Sequence, residues 1–187
     1  MSPPRPIEGA LLLCLDMQPV FIGAVADGRA VLGRCQFAVA AACGLGIPVA
    51  FTEQVPAKLG STDPSLLSLV EKPEVHPKDT FSAFSPAGPV REALSRGRTL
   101  EHVLICGVET PICVYQSAAD ALQAGLSVTI LSDCVGARRR EDAATCTVAL
   151  ARAGAHVLPS ETVFYSILGG TAHPYFKAYT QLVKKYA

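Results

Sequence analysis

Residues 105 to 122, ICGVETPICVYQSAADAL, begin as an apolar strand, pass through Glu109, Thr110 and Pro111, and continue with helical periodicity. Thr110 suits an N-cap and Pro111 the first helical position, which puts Cys113 in the first turn, where N–H groups lack partners within the helix. The positive end of a helix favours a thiolate. The N–H groups of Ile112 and Cys113 are the natural donors to an oxyanion once the sulfur attacks a carbonyl or imine carbon, although a capping Thr110 would compete for one of them. The plainer role is packing on the sheet, and position alone favours packing over catalysis for Cys113.

A nucleophilic thiol needs a proton acceptor and a group that favours its anion. Asp16 directly follows the apolar run ALLLCL, in surroundings suited to general-base work. An Asx turn or helix cap opening DMQP is the commoner fate of such an Asp. Lys78, in VHPKDTFSAF, would supply a cation to both carboxylate and thiolate, whereas an isolated lysine is most often solvated. Glu109, beside the thiol, would orient substrate or replace Asp16 as base, and the helix dipole also accounts for it. Phe21 and Phe81 are candidate apolar pocket walls, Gln54 ends the second strand, and His76 would line the same pocket unless it is a solvated loop residue. His102, His156 and His173 fall at element starts, where capping or surface roles are usual.

The elements that must position these groups follow from the apolar pattern. ALLLCL (10–15), IPVAFT (47–52), HVLICGV (102–108), LSVTILSD (126–133) and AHVLP (155–159) read as strands. Helical periodicity covers roughly 28–45, 64–70, 88–96, 111–125, 140–154, 161–168 and 174–185. VHPKDTFSAF is open between strand and loop. This alternation predicts an α/β domain: a three-layer α/β/α sandwich around a mostly parallel, Rossmann-like sheet. Ligands of such folds bind beyond the carboxyl ends of the strands, where Asp16, Thr52 to Gln54, Lys78, Glu109 to Cys113 and Asp133 lie.

The chain has 187 residues, half of them apolar, with sixteen charges of each sign. No repeat or linker divides it, so a single domain over 1–187 is expected. Zero net charge argues against nucleic acid binding through a general positive field. The high apolar share points to a homo-oligomer. Seven cysteines without metal or disulfide spacing point to a reducing compartment, with Cys14, Cys35, Cys43 and Cys106 as buried fillers. No apolar run reaches membrane-span length and the start lacks secretory character, so a cytoplasmic protein is expected, with a mitochondrial address left open. Arg138, Arg139 and Arg140 precede a helix whose dipole they oppose. They serve either to meet a substrate carboxylate or phosphate or, more simply, as solvated charges paired with neighbours.

LCLDMQ with Asp16, KDTFSAF with Lys78 and CGVETPIC with Cys113 together resemble the isochorismatase-like cysteine hydrolases, and the resemblance extends to TEQVPAKLGST and SETVFYSILGGTAHPYFK, which look like the isochorismatase domain-containing subgroup. The resemblance implies Cys113 as nucleophile, Asp16 as general base and Lys78 as electrostatic partner. It also implies a non-proline cis peptide joining Val108 to Glu109, and a small-molecule substrate cleaved at an amide or other C–N bond through a thioester. Nicotinamidases of the family hold a metal with histidines after the second strand; FTEQV has none, so no catalytic metal or other cofactor is expected. Members of the subgroup are also described as ribonucleases, and a non-catalytic interaction protein retaining the fold is a further alternative.

Overall fold

In the structure, a computed structural model describing residues 9–186, ALLLCL forms strand β1 (Ala10–Leu15), buried along its whole length. Successive side chains of a strand point to opposite faces. Ala10, Leu12 and Cys14 accordingly enter one core, and Leu11, Leu13 and Leu15 another. A strand apolar on both sides requires cover on both.

The chain continues through α1 (Pro19–Ala24), α2 (Gly28–Gly44), β2 (Val49–Gln54), α3 (Pro56–Leu59), α4 (Pro64–Leu67), β3 (Glu74–Lys78) and α5 (Val90–Ser95). After β4 (His102–Val108), a π-helical turn (Thr110–Val114) leads into α6 (Tyr115–Gln123). Then come β5 (Ser127–Gly136), α7 (Arg140–Arg152), β6 (His156–Leu158), α8 (Ser160–Leu168) and α9 (Phe176–Tyr186). The sheet has the order β3-β2-β1-β4-β5-β6 and is parallel throughout. Helices α2, α8 and α9 cover one face with Phe37, Phe164 and Tyr179. Helices α5, α6 and α7 cover the other with Leu94, Ala118 and Leu150. This is the expected three-layer α/β/α sandwich.

The ambiguous 75–84 segment contributes β3, an edge strand that begins at Glu74. Its first four residues are only partly buried or exposed and it contains Pro77, which an edge tolerates because one side of the strand has no ladder to complete. DMQP leads directly into α1, whose Pro19 opens the helix. None of the α1 residues is fully buried, so no apolar stripe marked it. Cys14, Cys35 and Cys106 meet in the core with their Sγ atoms within 4.8 Å of one another. Cys134 is also buried, whereas Cys43, expected inside, is exposed. Among the described residues no helix is long and apolar enough to cross a membrane.

Two features shape the crevice. The strand order reverses between β1 and β4, which makes their carboxyl ends the switch point where such sheets bind ligands. There Leu15 pairs with Gly107. Gly107 has φ +110, and a Cβ on it would lie 2.1 Å from the Leu15 carbonyl oxygen. Only glycine lets the two backbones approach this closely just before Asp16 and Val108.

Candidate active site

Asp16 leaves β1 with φ +51, a left-handed conformation that Asp tolerates better than most residues. Lys78 ends β3, and Cys113 lies in the π-helical turn after β4. The fold brings these three side chains together. Lys78 Nζ lies 2.7 Å from Asp16 Oδ2 and 3.6 Å from Cys113 Sγ. The ammonium also donates to Gln54 Oε1 at 2.5 Å and to the Thr80 and Phe81 carbonyls at 3.2 Å each. Thr52 Oγ1 donates to Asp16 Oδ1 at 2.7 Å. All of these side chains except Phe81 and Thr80, which contribute only carbonyls, are buried; charges out of water persist only when paired and hydrogen-bonded in this way.

A small cleft reaches this cluster. Its polar lining comes from Asp16, Gln54, Glu109 and Cys113, and its apolar lining from Phe21, Phe81, Val108 and Ile112. Phe81 is 53% exposed, a large aromatic surface left open beside the cleft.

The electrostatics differ from the expectation of a resting thiolate. Burial first, and then the Asp16 charge, push the Cys113 thiol up to about 12, with Lys78 offsetting them only in part. The favourable end of a helix is outweighed because the sulfur is dry and has a carboxylate beside it. The resting group is therefore a thiol, with a proton acceptor and a fixed cation next to it.

The turn itself also departs from the simple capped helix. The Thr110 hydroxyl donates to the Gly136 carbonyl at 3.0 Å instead of capping, and Glu109 occupies the N-cap position. Two N–H groups fold back onto the Glu109 carbonyl, Ile112 at 3.0 Å and Val114 at 3.2 Å. Of the two expected oxyanion donors, Ile112 is thus already engaged. The Val108–Glu109 peptide is cis.

Residues 10–162 match the isochorismatase domain. The chain belongs to the isochorismatase family. Isochorismatase domain-containing protein 2 of Bos taurus is 33% identical over 180 residues, 96% of this chain and 85% of that protein. Among solved structures, the MAR1 ribonuclease from Caenorhabditis elegans has a TM-score of 0.88 at 29% identity, covering 97% of this chain and 92% of its own. The YcaC gene product of Escherichia coli, described as an octameric hydrolase of unknown specificity, has a TM-score of 0.81 at 18% identity over 100% and 98% of the two chains, and shows the fold alone.

Other side chains of this isochorismatase-family protein fall outside the cluster. His76, expected in the pocket, is not part of the cleft lining. Its Nε2 lies 2.8 Å from Glu74 Oε1, and residues two apart on a strand share a face, so the edge strand satisfies its own histidine. Arg98 holds the other Glu74 oxygen. Each arginine of the 138–140 run has a carboxylate of its own: Arg138 Nε donates to Glu109 Oε2 at 2.9 Å, Arg139 pairs with Asp142 at 2.7 Å, and Arg140 pairs with Asp27. Glu109 thus sits between the cleft and Arg138. His102 is buried, 2.8 Å from Thr129 Oγ1, and not on the surface. Asp133 accepts from Ser160 N and Oγ at 2.7 Å and from Arg34 at 2.8 Å. Burial alone would raise its carboxyl, but these donors hold it below the usual range, and it anchors the start of α8.

Gln18 was not anticipated. Its Oε1 accepts from Gln54 N at 2.7 Å, and its Nε2 donates to Gln54 O at 3.1 Å and Gly60 O at 2.6 Å. A glutamine inside a presumed turn has no distinguishing pattern, and only its complete burial reveals the role.

Proposed function

We propose that the protein is a cysteine hydrolase of small molecules that cleaves an amide or other non-peptide C–N bond through a thioester on Cys113. The observation that carries this reading is the meeting of Cys113, Asp16 and Lys78 at the base of a small, largely apolar cleft. Asp16 takes the thiol proton as Sγ bonds to the carbonyl carbon, which suits a sulfur that holds its proton at rest. The Cys113 N–H is the donor assigned to the oxyanion. The proton passes from Asp16 to the leaving nitrogen as the C–N bond breaks. Water then attacks the thioester, Asp16 accepts its proton, and the C–S bond breaks to release the acid as Asp16 returns the proton to sulfur and restores the thiol. Lys78 keeps the carboxylate in place and offsets the charge that develops on sulfur.

The free thiols suit a reducing, cytoplasmic setting, and we read the chain as part of a homo-oligomer, as the octameric E. coli relative is. The test is turnover of a panel of amides, ureides and carbamoyl compounds by the protein and by Cys113→Ala. A loss of about a thousandfold or more is expected, with an unchanged thermal midpoint. Equal turnover by the variant would overturn the reading.

A ribonuclease is the second reading, favoured by the match to the C. elegans protein. The apolar cleft, the zero net charge and three arginines that each hold their own carboxylate weigh against it. Salt-sensitive RNA binding that weakens in Arg138→Ala and Arg139→Ala would support it, since each lost phosphate contact lowers the salt dependence.

A further inference from the structure

The Lys78 ammonium has three hydrogens and meets more acceptors than it can serve. Gln54 Oε1 at 2.5 Å and Asp16 Oδ2 at 2.7 Å are nearest, the Thr80 and Phe81 carbonyls follow at 3.2 Å, and Cys113 Sγ is last at 3.6 Å. A hydrogen given to Gln54 is one withheld from sulfur.

The other end of the Gln54 amide is held too. Its Nε2 donates one hydrogen to the Asp79 carbonyl at 3.0 Å, so both ends of the amide are held by the protein, although the residue forms part of the cleft wall. Its orientation is fixed. A flipped amide would set NH₂ against the ammonium and oxygen against the Asp79 carbonyl. Its backbone N–H and carbonyl are both held by Gln18, which is tied in turn to Gly60. A buried glutamine that contacts the cation is thus clamped by a second buried glutamine.

We propose that Gln54, clamped by Gln18, is a positioning residue that holds the Lys78 ammonium toward Asp16 and away from Cys113, and so sets how readily the thiol releases its proton. This rests on the reading of Cys113 as nucleophile. The charged groups around that sulfur are Asp16 at the end of β1, Lys78 on β3 and Glu109 before its own turn. Arg138 lies behind Glu109, and Asp142 of α7 is paired with Arg139 at the outer rim. Changing Gln54 removes none of these groups.

The test is the rate at which iodoacetamide alkylates Cys113, read on its own peptide by mass spectrometry across neutral to alkaline pH, for the protein, Gln54→Met and Gln54→Glu. Methionine matches the length of glutamine and lacks the acceptor, which removes the nearest competitor and lets the ammonium shift toward sulfur, with four acceptors left for its three hydrogens. Alkylation at a fixed pH should then rise, by about tenfold for each unit the thiol falls. Glutamate matches the shape and binds the ammonium more strongly while adding negative charge, so alkylation should fall by a similar factor. A role confined to shape or access would move both variants the same way, and that result, or no change in either, would overturn the proposal. Thermal unfolding run alongside reports whether each variant folds. If Gln54→Met does not, Gln18→Met, which loosens only the clamp, must raise the rate, and an unchanged rate would overturn the proposal. The readout needs no substrate, so failure of this inference is separable from failure of the hydrolase reading.

Discussion

The Lys78 ammonium lies 2.7 Å from an Asp16 carboxylate oxygen, with the two side chains 0% and 1% exposed. Moving both charges out of water is costly, and attraction alone rarely recovers the cost. The pair persists because Thr52 donates to the second Asp16 oxygen and because Gln54 and two carbonyls share the remaining ammonium hydrogens. Stability and the proposed chemistry therefore draw on the same atoms.

Removing one partner strands the other. Lys78→Met is expected to cost about 3–5 kcal/mol, and Asp16→Leu a similar amount, while the double variant should lose clearly less than their sum. Urea denaturation at neutral pH measures all three. Additive losses would show that the charges do not act as a pair.

Gly107→Ala should be among the most damaging single changes outside the cluster. Its Cβ would lie 2.1 Å from the Leu15 carbonyl oxygen at φ +110. Strands β1 and β4 would have to part where Asp16 and Val108 begin. A loss of about 3 kcal/mol or more is expected, and a loss below about 1 kcal/mol, read by the same denaturation, would show that the switch point yields easily.

Acid should weaken the fold through His102. Burial, helped by nearby His156, holds His102 below its ordinary value, so the unfolded chain binds the proton more readily than the folded one. The stabilisation is complete above the ordinary histidine range near 6.5 and is lost as pH falls through the lower folded value. His102→Gln, which keeps a polar partner for Thr129, should flatten the dependence of the unfolding midpoint in the mildly acidic range. An unchanged slope would assign it to other groups.

Much of this arrangement is legible in the sequence because the central strands are apolar on both faces. Ala10–Leu15 and His102–Val108 are unbroken runs that end at the switch point, and the residues just beyond them include Asp16 and Cys113. Edge strand β3 was harder to read because partial burial and Pro77 erase its pattern; Lys78 stood out by its resemblance to the family motif, not by periodicity. The engaged Ile112 N–H, the pairing of His76 with Glu74 and the Gln18 clamp on Gln54 depend on contacts across the fold or within an irregular turn. The state of the Cys113 thiol was likewise hidden: helix position argues for an anion, and only the depth of burial shows that desolvation prevails.

The covalent intermediate is the most direct test. The protein is mixed with the amide, ureide and carbamoyl panel, quenched in acid and digested, and each cysteine-containing peptide is weighed. The account predicts an acyl group on the Cys113 peptide alone, formed more slowly in Asp16→Asn and absent in Cys113→Ala. Turnover that proceeds with no acyl group on Cys113, and at full rate in Cys113→Ala, would contradict it.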